Sequence, residues 1–241
     1  PIRIAMWSGP RNLSTAMMRS FGNRADCAVI DEPYYAAYLK QTGFDHPMRE
    51  AVLAAQETDW REVEARILGP VPEGAPIFYQ KHMSHHMLPG FGRDWFAKTR
   101  HAILIRAPER VLASYAAKRE AVTAEDIGMA DLEEIRQQAT GATGKEPPII
   151  EAEDIRRNPE GLLGALCQAL DIPFDPAMLA WPPGRRDSDG VWAAHWYATV
   201  DASTGFSPPE DGLPDLPDDL QAIADETRPI FKALASRKLR A

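Results

Sequence analysis

The chain has 241 residues, 44% of them hydrophobic and 26% charged, with a formal net charge of −8. That profile is of an ordinary soluble globular chain able to bury a substantial core, and its acidic balance argues against general nucleic-acid binding. No apolar run reaches the roughly 18 residues of a membrane span, and no signal-peptide pattern is visible. Two cysteines, Cys27 and Cys167, are too few for a disulfide framework or an all-cysteine zinc site, and they read as thiols in a reducing cytoplasm.

Taken in chain order, the first strand is expected over Ile2–Trp7, followed by a tight turn and a helix over Leu13–Phe21. Further short apolar runs of strand length are Ala28–Ile30, Ile77–Gln80, Ala102–Arg106 and Pro148–Glu151. Helical spacing marks Pro108–Glu120 and Pro159–Leu170, the second opened by Asn158 as N-cap with proline at the first helical position. Loops are expected at Thr140–Pro148 and Trp181–Gly190. A proline-rich acidic connector, Ser207–Asp219, leads to a last helix near Leu220–Leu234. Uninterrupted apolar strands alternating with helices predict an α/β fold with a parallel sheet covered on both faces. The whole of 1–241 reads as one domain with a C-terminal extension.

The turn after the first strand reads Gly9-Pro10-Arg11-Asn12-Leu13-Ser14-Thr15. A strand–turn–helix unit presents unpaired backbone N–H groups and a positive helix end, which suits an anion. The triphosphate form of this loop has a second glycine and a lysine just before its hydroxyl residue; here neither is present. What remains is one cation, Arg11, and two hydroxyls, a set suited to an oxyanion without a metal clamp. A second candidate lies at the end of the fourth strand run, where Arg106 stands at a carboxyl end and Ser114 follows eight positions later in a helix. Open α/β sheets bind their ligands at such ends, and a guanidinium holds phosphate bidentately.

Together these two elements resemble the sulfotransferases that use 3′-phosphoadenosine 5′-phosphosulfate (PAPS). Pro10, Arg11, Ser14 and Thr15 match that family's phosphosulfate turn, with Asn12 and Leu13 where serine and glycine are usual. Arg106 and Ser114 match its arginine–serine pair for the 3′-phosphate. Glu151–Leu179 resembles a further family segment, with Ala152 where a tyrosine often stands. The stretch "GRRDSDGVWAAHWY" resembles the basic loop that closes over the 3′-phosphate and makes Arg185 and Arg186 candidates. The resemblance implies a P-loop-NTPase-like three-layer fold, PAPS as cosubstrate, a small-molecule acceptor and no metal.

Two residues compete as the general base. Glu32, in "VIDEPYYAAY", resembles the Glu-Pro-aromatic segment of some bacterial members; His82, after Lys81, resembles a Lys-Thr-His motif one residue short. His82 and His86 also stand at the i, i+4 spacing of zinc ligands, but no third ligand follows and the glutamate of that motif is replaced by Met83. Trp192 and Trp196 are read as core or pocket walls, and Tyr34, Tyr35 and Tyr38 as one side of an amphipathic helix or an acceptor pocket. The expected function is sulfuryl transfer from PAPS to a hydroxyl or amine. The rival readings are a P-loop phosphotransferase and an inactive nucleotide-binding module of the same fold.

Overall fold

A computed structural model of the chain describes residues 1–117 and 122–241. Strand β1 (Ile2–Ser8) is followed by helix α1 (Ser14–Gly22), and β2 (Cys27–Asp31) by α2 (Tyr35–Thr42), α3 (Arg49–Ala55) and α4 (Trp60–Leu68). After β3 (Ile77–Met83) and β4 (Arg100–Ile105) come α5 (Pro108–Ala116) and α6 (Met129–Thr143). Strand β5 (Ile149–Glu151) runs straight into α7 (Ala152–Arg157) and α8 (Pro159–Ala169). The short α9 (Ala193–Trp196) and α10 (Ala198–Asp201) precede the long α11 (Asp218–Ala235).

The five strands form one parallel sheet in the order β2-β3-β1-β4-β5. Strand β1 is therefore central, and its carboxyl end lies where the chain's crossovers diverge. Side chains alternate along each strand, so β1 feeds two cores at once. Ile4 and Met6 pack with Met17, Phe21 and Leu163 on one face, whereas Ala5 and Trp7 pack with Ile67, Leu112 and Leu234 on the other. Both faces being covered explains why these strands read as continuous apolar runs.

All five expected strands are present, each within a few residues of its expected bounds. Asn158 caps α8 as expected, its side chain accepting from Gly161 N at 3.1 Å. The expected loop at Thr140–Pro148 begins later than its composition suggests. Helix α6 continues through Thr143, with the Thr140 and Thr143 hydroxyls donating to the carbonyls of Arg136 and Ala139, and ends at the left-handed Gly144. The final residues of the expected Pro108–Glu120 helix, 118 to 120, lie outside the described residues. No helix among the described residues is long and apolar enough to cross a membrane.

Candidate active site

The turn between β1 and α1 is built from unusual backbone. Arg11 (φ 61°) and Leu13 (φ 71°) both adopt the left-handed region, which costs a non-glycine residue about 1–2 kcal/mol. Leu13 offsets this by packing against the core under α1. Gly9 is required for a different reason: a Cβ there would lie 2.2 Å from Ile127 O. Asn12 is buried and donates from Nδ2 to Leu104 O at 3.2 Å, tying the turn to β4, while its Oδ1 meets no partner within the protein. No side chain caps α1, and its first turn holds no acidic residue. The amides of that turn and the positive helix end are left facing the cavity.

That cavity, about 300 Å³, is lined by Pro10 to Thr15, Glu32, Arg106 and Ser114. The structure thus brings together the turn, the arginine–serine pair and one of the two candidate bases. Gly9 sits behind the turn, against Ile127. Trp192 and Trp196 also line the cavity, and the Arg11 guanidinium lies 5.7 Å from the Trp196 ring centroid.

His82 is elsewhere. It points to the opposite face of β3, 2% exposed, stacked on Trp7 at 4.5 Å and flanked by Tyr34 and Trp95. Burial pushes its pKa down to about 3, and its Nε2 is paired with Gln80 Oε1 at 3.2 Å. It has no route to an acceptor in the cavity, so the expectation of His82 as a base is corrected. The strand period is the cause, since adjacent residues on β3 face opposite cores and Lys81, not His82, points to the site. The zinc spacing dissolves for a related reason. His82 lies in β3 and His86 in a 3₁₀ turn, with His86 stacked on Tyr35 on the other side of the sheet.

Arg185 and Arg186 are also placed away from the cavity. Arg185 is exposed and lies 3.6 Å from Asp201, whereas Arg186 binds the carbonyls of Pro182, Gly184 and Arg185 within its own loop. Neither Arg185 nor Arg186 lines the cavity, contrary to what the resemblance implies for a loop closing over the 3′-phosphate. Among the described residues, Arg110 of α5 and Arg156 of α7 stand beside Arg106, sharing Glu153 and Glu210 with it. Their helical positions give no local signature in the sequence.

Glu32 is embedded in a buried charge network. It follows β2 at φ 40°, and its N–H donates to Lys81 O at 2.9 Å. Lys81 Nζ donates to Asp31 Oδ1 (2.8 Å), Glu32 Oε1 (2.5 Å) and Tyr197 Oη (2.7 Å). Tyr197 donates in turn to Asp31 Oδ2 at 2.8 Å, and Gly190 N reaches the same carboxylate at 3.1 Å. One ammonium facing two carboxylates leaves a negative balance. Burial pushes the Glu32 pKa up against the opposing charge of Lys81, and the Asp31 charge pushes it further up. Burial works against the Lys81 charge, but Asp31 and Glu32 outweigh it and hold the ammonium charged. A carboxylate with raised basicity, aimed into a cavity and held by a fixed cation, suits proton abstraction.

The family described as "Sulfotransferase domain" matches residues 2–238. The chain belongs to the sulfotransferase family. Among relatives of this sulfotransferase-family chain is the branched-chain-amino-acid aminotransferase-like protein 1 of Arabidopsis thaliana, 37% identical over 237 residues. The match takes in 98% of this chain but only 42% of that relative, which is therefore a much longer protein. The sulfotransferase domain of the Synechococcus PCC 7002 olefin synthase superposes with a TM-score of 0.55 at 17% identity, covering 96% of this chain and 95% of that one. A sulfotransferase from Alicyclobacillus acidocaldarius gives a TM-score of 0.58 at 12% identity, covering 99% and 97% respectively. These structures share the P-loop-like three-layer fold.

Proposed function

We propose that the protein transfers a sulfuryl group from PAPS to a hydroxyl or amine of a small-molecule acceptor. The observation that carries the reading is the meeting, in one cavity, of the uncapped α1 turn, the Arg106–Ser114 pair and the basic Glu32 carboxylate. Arg11, Ser14, Thr15 and the turn amides would hold the 5′-phosphosulfate, and Arg106 with Ser114 the 3′-phosphate. Leu13 stands where a triphosphate loop carries lysine, which supports a donor that needs no Mg²⁺.

In the reaction, the acceptor oxygen or nitrogen bonds to sulfur as the bond from sulfur to the bridging 5′-phosphate oxygen breaks. The electron pair leaves with 3′,5′-adenosine bisphosphate, and the acceptor proton goes to Glu32. Arg11 and the helix end stabilise the charge that builds on the leaving phosphate, in the manner of phosphoryl transfer. The rings of Tyr35, His86 and Trp192 beside Glu32 would form the acceptor side. Two core layers sharing one sheet support reading 1–241 as one domain, and the free thiols of Cys27 and Cys167 fit a reducing cytoplasm.

Calorimetry with 3′,5′-adenosine bisphosphate and with ATP tests the donor. The expected result is tight bisphosphate binding, weakened about 10- to 100-fold by Arg106→Ala, the worth of a charge-assisted contact to phosphate. Equal, weak binding of both nucleotides would overturn the reading, and Mg²⁺-dependent ATP turnover would replace it with a phosphotransferase. Bisphosphate binding without label transfer from sulfur-labelled PAPS to any acceptor in a broad panel would leave a nucleotide-binding module.

A further inference from the structure

Arg106, Arg110 and Arg156 converge on one carboxylate. It belongs to Glu210, in the proline-rich segment before α11. Arg106 Nη2 lies 3.1 Å from Glu210 Oε1, Arg156 Nη1 3.0 Å from the same oxygen, and Arg110 Nη1 2.5 Å from Oε2. Arg110 also donates to the carbonyls of Glu210 and Gly212, and Glu210 N donates to Glu153 Oε2 at 3.1 Å. Beneath them, Glu153 Oε1 accepts from Arg106 at 3.3 Å and Arg156 at 3.2 Å.

The members of this cluster differ in how firmly they are held. Arg106 and Arg110 are 6% and 7% exposed, and Glu153 is buried. The Glu210 side chain is 54% exposed. The arginines and Glu153 are fixed to β4, α5 and α7, whereas Glu210 lies on an extended segment with Pro208, Pro209, Pro214 and Pro217. Three guanidinium groups against one buried glutamate leave two positive charges when Glu210 is set aside. A phosphomonoester carries roughly −1.5 to −2 charge and three acceptor oxygens, which matches that surplus better than a single carboxylate does. Arg106 and Arg156 both line the cavity with Ser114, and Arg106 Nη1 also donates to Arg11 O at 3.1 Å, so the cluster is continuous with the turn.

We propose that Arg106, Arg110 and Arg156 form a single phosphomonoester site, and that Glu210 occupies it in cis until the 3′-phosphate of the nucleotide displaces it. The proposal rests on the donor reading above and adds two binding residues and a competitor to it. Displacing the glutamate frees the 207–217 segment at its middle, since Leu216 still packs against the core. The same competition acts on the product, which carries the same 3′-phosphate, and favours its release.

The test is calorimetry on the wild-type protein and Glu210→Gln with two ligands, 3′,5′-adenosine bisphosphate and adenosine 5′-phosphosulfate, which lacks the 3′-phosphate. The variant is expected to bind the bisphosphate about tenfold more tightly, the gain from removing one competing charge in a desolvated cluster. Affinity for adenosine 5′-phosphosulfate is expected to stay within about twofold, as it makes no contact with the three arginines. Unchanged bisphosphate affinity, with tight binding by both proteins, would overturn the cis-occupancy proposal and leave the donor reading standing. Equal tightening toward both ligands would also overturn it, because the effect would then be general electrostatics. Bisphosphate binding to neither protein would overturn the donor reading and this proposal with it. A second measurement does not depend on the variant: bisphosphate added to the wild-type protein is expected to speed amide exchange across 207–217. Slower or unchanged exchange there would count against displacement.

Discussion

At the scale of single residues, Glu32 is the group whose removal should separate chemistry from binding. It lines the cavity, and in the proposed reading the nucleotide is held by the turn and the arginines instead. Glu32→Gln is expected to lower kcat by about 10²- to 10⁴-fold, the usual contribution of a general base, with bisphosphate affinity unchanged. His82→Gln is expected to leave kcat near wild type, since His82 is sealed among Trp7, Tyr34 and Trp95. The pH dependence follows in sign from the environment. Burial raises the Glu32 pKa above its ordinary 4.5 against the pull of Lys81. The rate should therefore climb with pH along an acid limb placed above that value, and the limb should vanish in Glu32→Gln. Steady-state pH profiles check this, and an acid limb unchanged by the substitution would give the proton to another group. The turn and Arg106 were legible in sequence because each is a short local pattern at a strand end. Lys81, Asp31 and Tyr197 were not, since they join residues 50 and 166 positions apart, and nothing in local spacing carries such a pairing.

At the scale of elements, the β1–α1 turn shows how a loop is held open for an anion by contacts made elsewhere. Gly9 faces Ile127, near the start of α6, and not the cavity. Gly9→Ala would drive a methyl group to 2.2 Å from the Ile127 carbonyl oxygen, and backbone on both sides must move. Overpacking of this kind costs typically about 1–3 kcal/mol, which corresponds to a melting temperature lower by several degrees in a chain of this size. Because the same shift rotates the amides of the turn, bisphosphate affinity is expected to fall as well. Thermal melts and calorimetry on one preparation check both effects, and lost stability with intact affinity would detach Gly9 from the site. The elements themselves were uneven in legibility. The strands are buried on both faces and read as plain apolar runs, so all five stood out. Helix α6 ran past its expected end, through a Thr-Gly-rich stretch as far as the left-handed Gly144 that caps it. Arg185 and Arg186 looked like a basic clamp by composition, but their loop consumes one guanidinium on its own carbonyls and leaves the other at the surface.

At the scale of the whole molecule, the aromatic core opposite the site makes stability depend on pH through its histidines. His82 and His101 are buried beside Trp7, whose Nε1 donates to His101 Nδ1 at 3.0 Å. Burial pushes their pKa values down from 6.5 to about 3 and about 4, and drives His86 well below its ordinary value too. Each ring is therefore neutral in the fold and takes a proton near pH 6.5 once unfolded. The sign follows: the unfolded chain binds more protons, so the fold is favoured above pH 6.5 and loses stability as pH falls toward 4 and then 3. One histidine contributes a slope of at most about 1.4 kcal/mol per pH unit within that window. Glu32 acts in the opposite sense, because a carboxyl with a raised pKa disfavours the fold when ionised and relieves it on protonation. It offsets only one of the three rings. Urea midpoints measured from pH 7.5 down to 5 are expected to fall steadily. His82→Phe keeps a ring against Trp7 and should flatten that decline by about one proton's share, raising relative stability most at the acid end. A decline of the same steepness in His82→Phe would mean that His82 takes up its proton within the fold and would overturn its part in the acid sensitivity. Two of the three rings, His82 and His101, belong to the core face, whereas His86 lines the cavity beside Glu32, so substitution at His82 alters the acid sensitivity without touching the cavity.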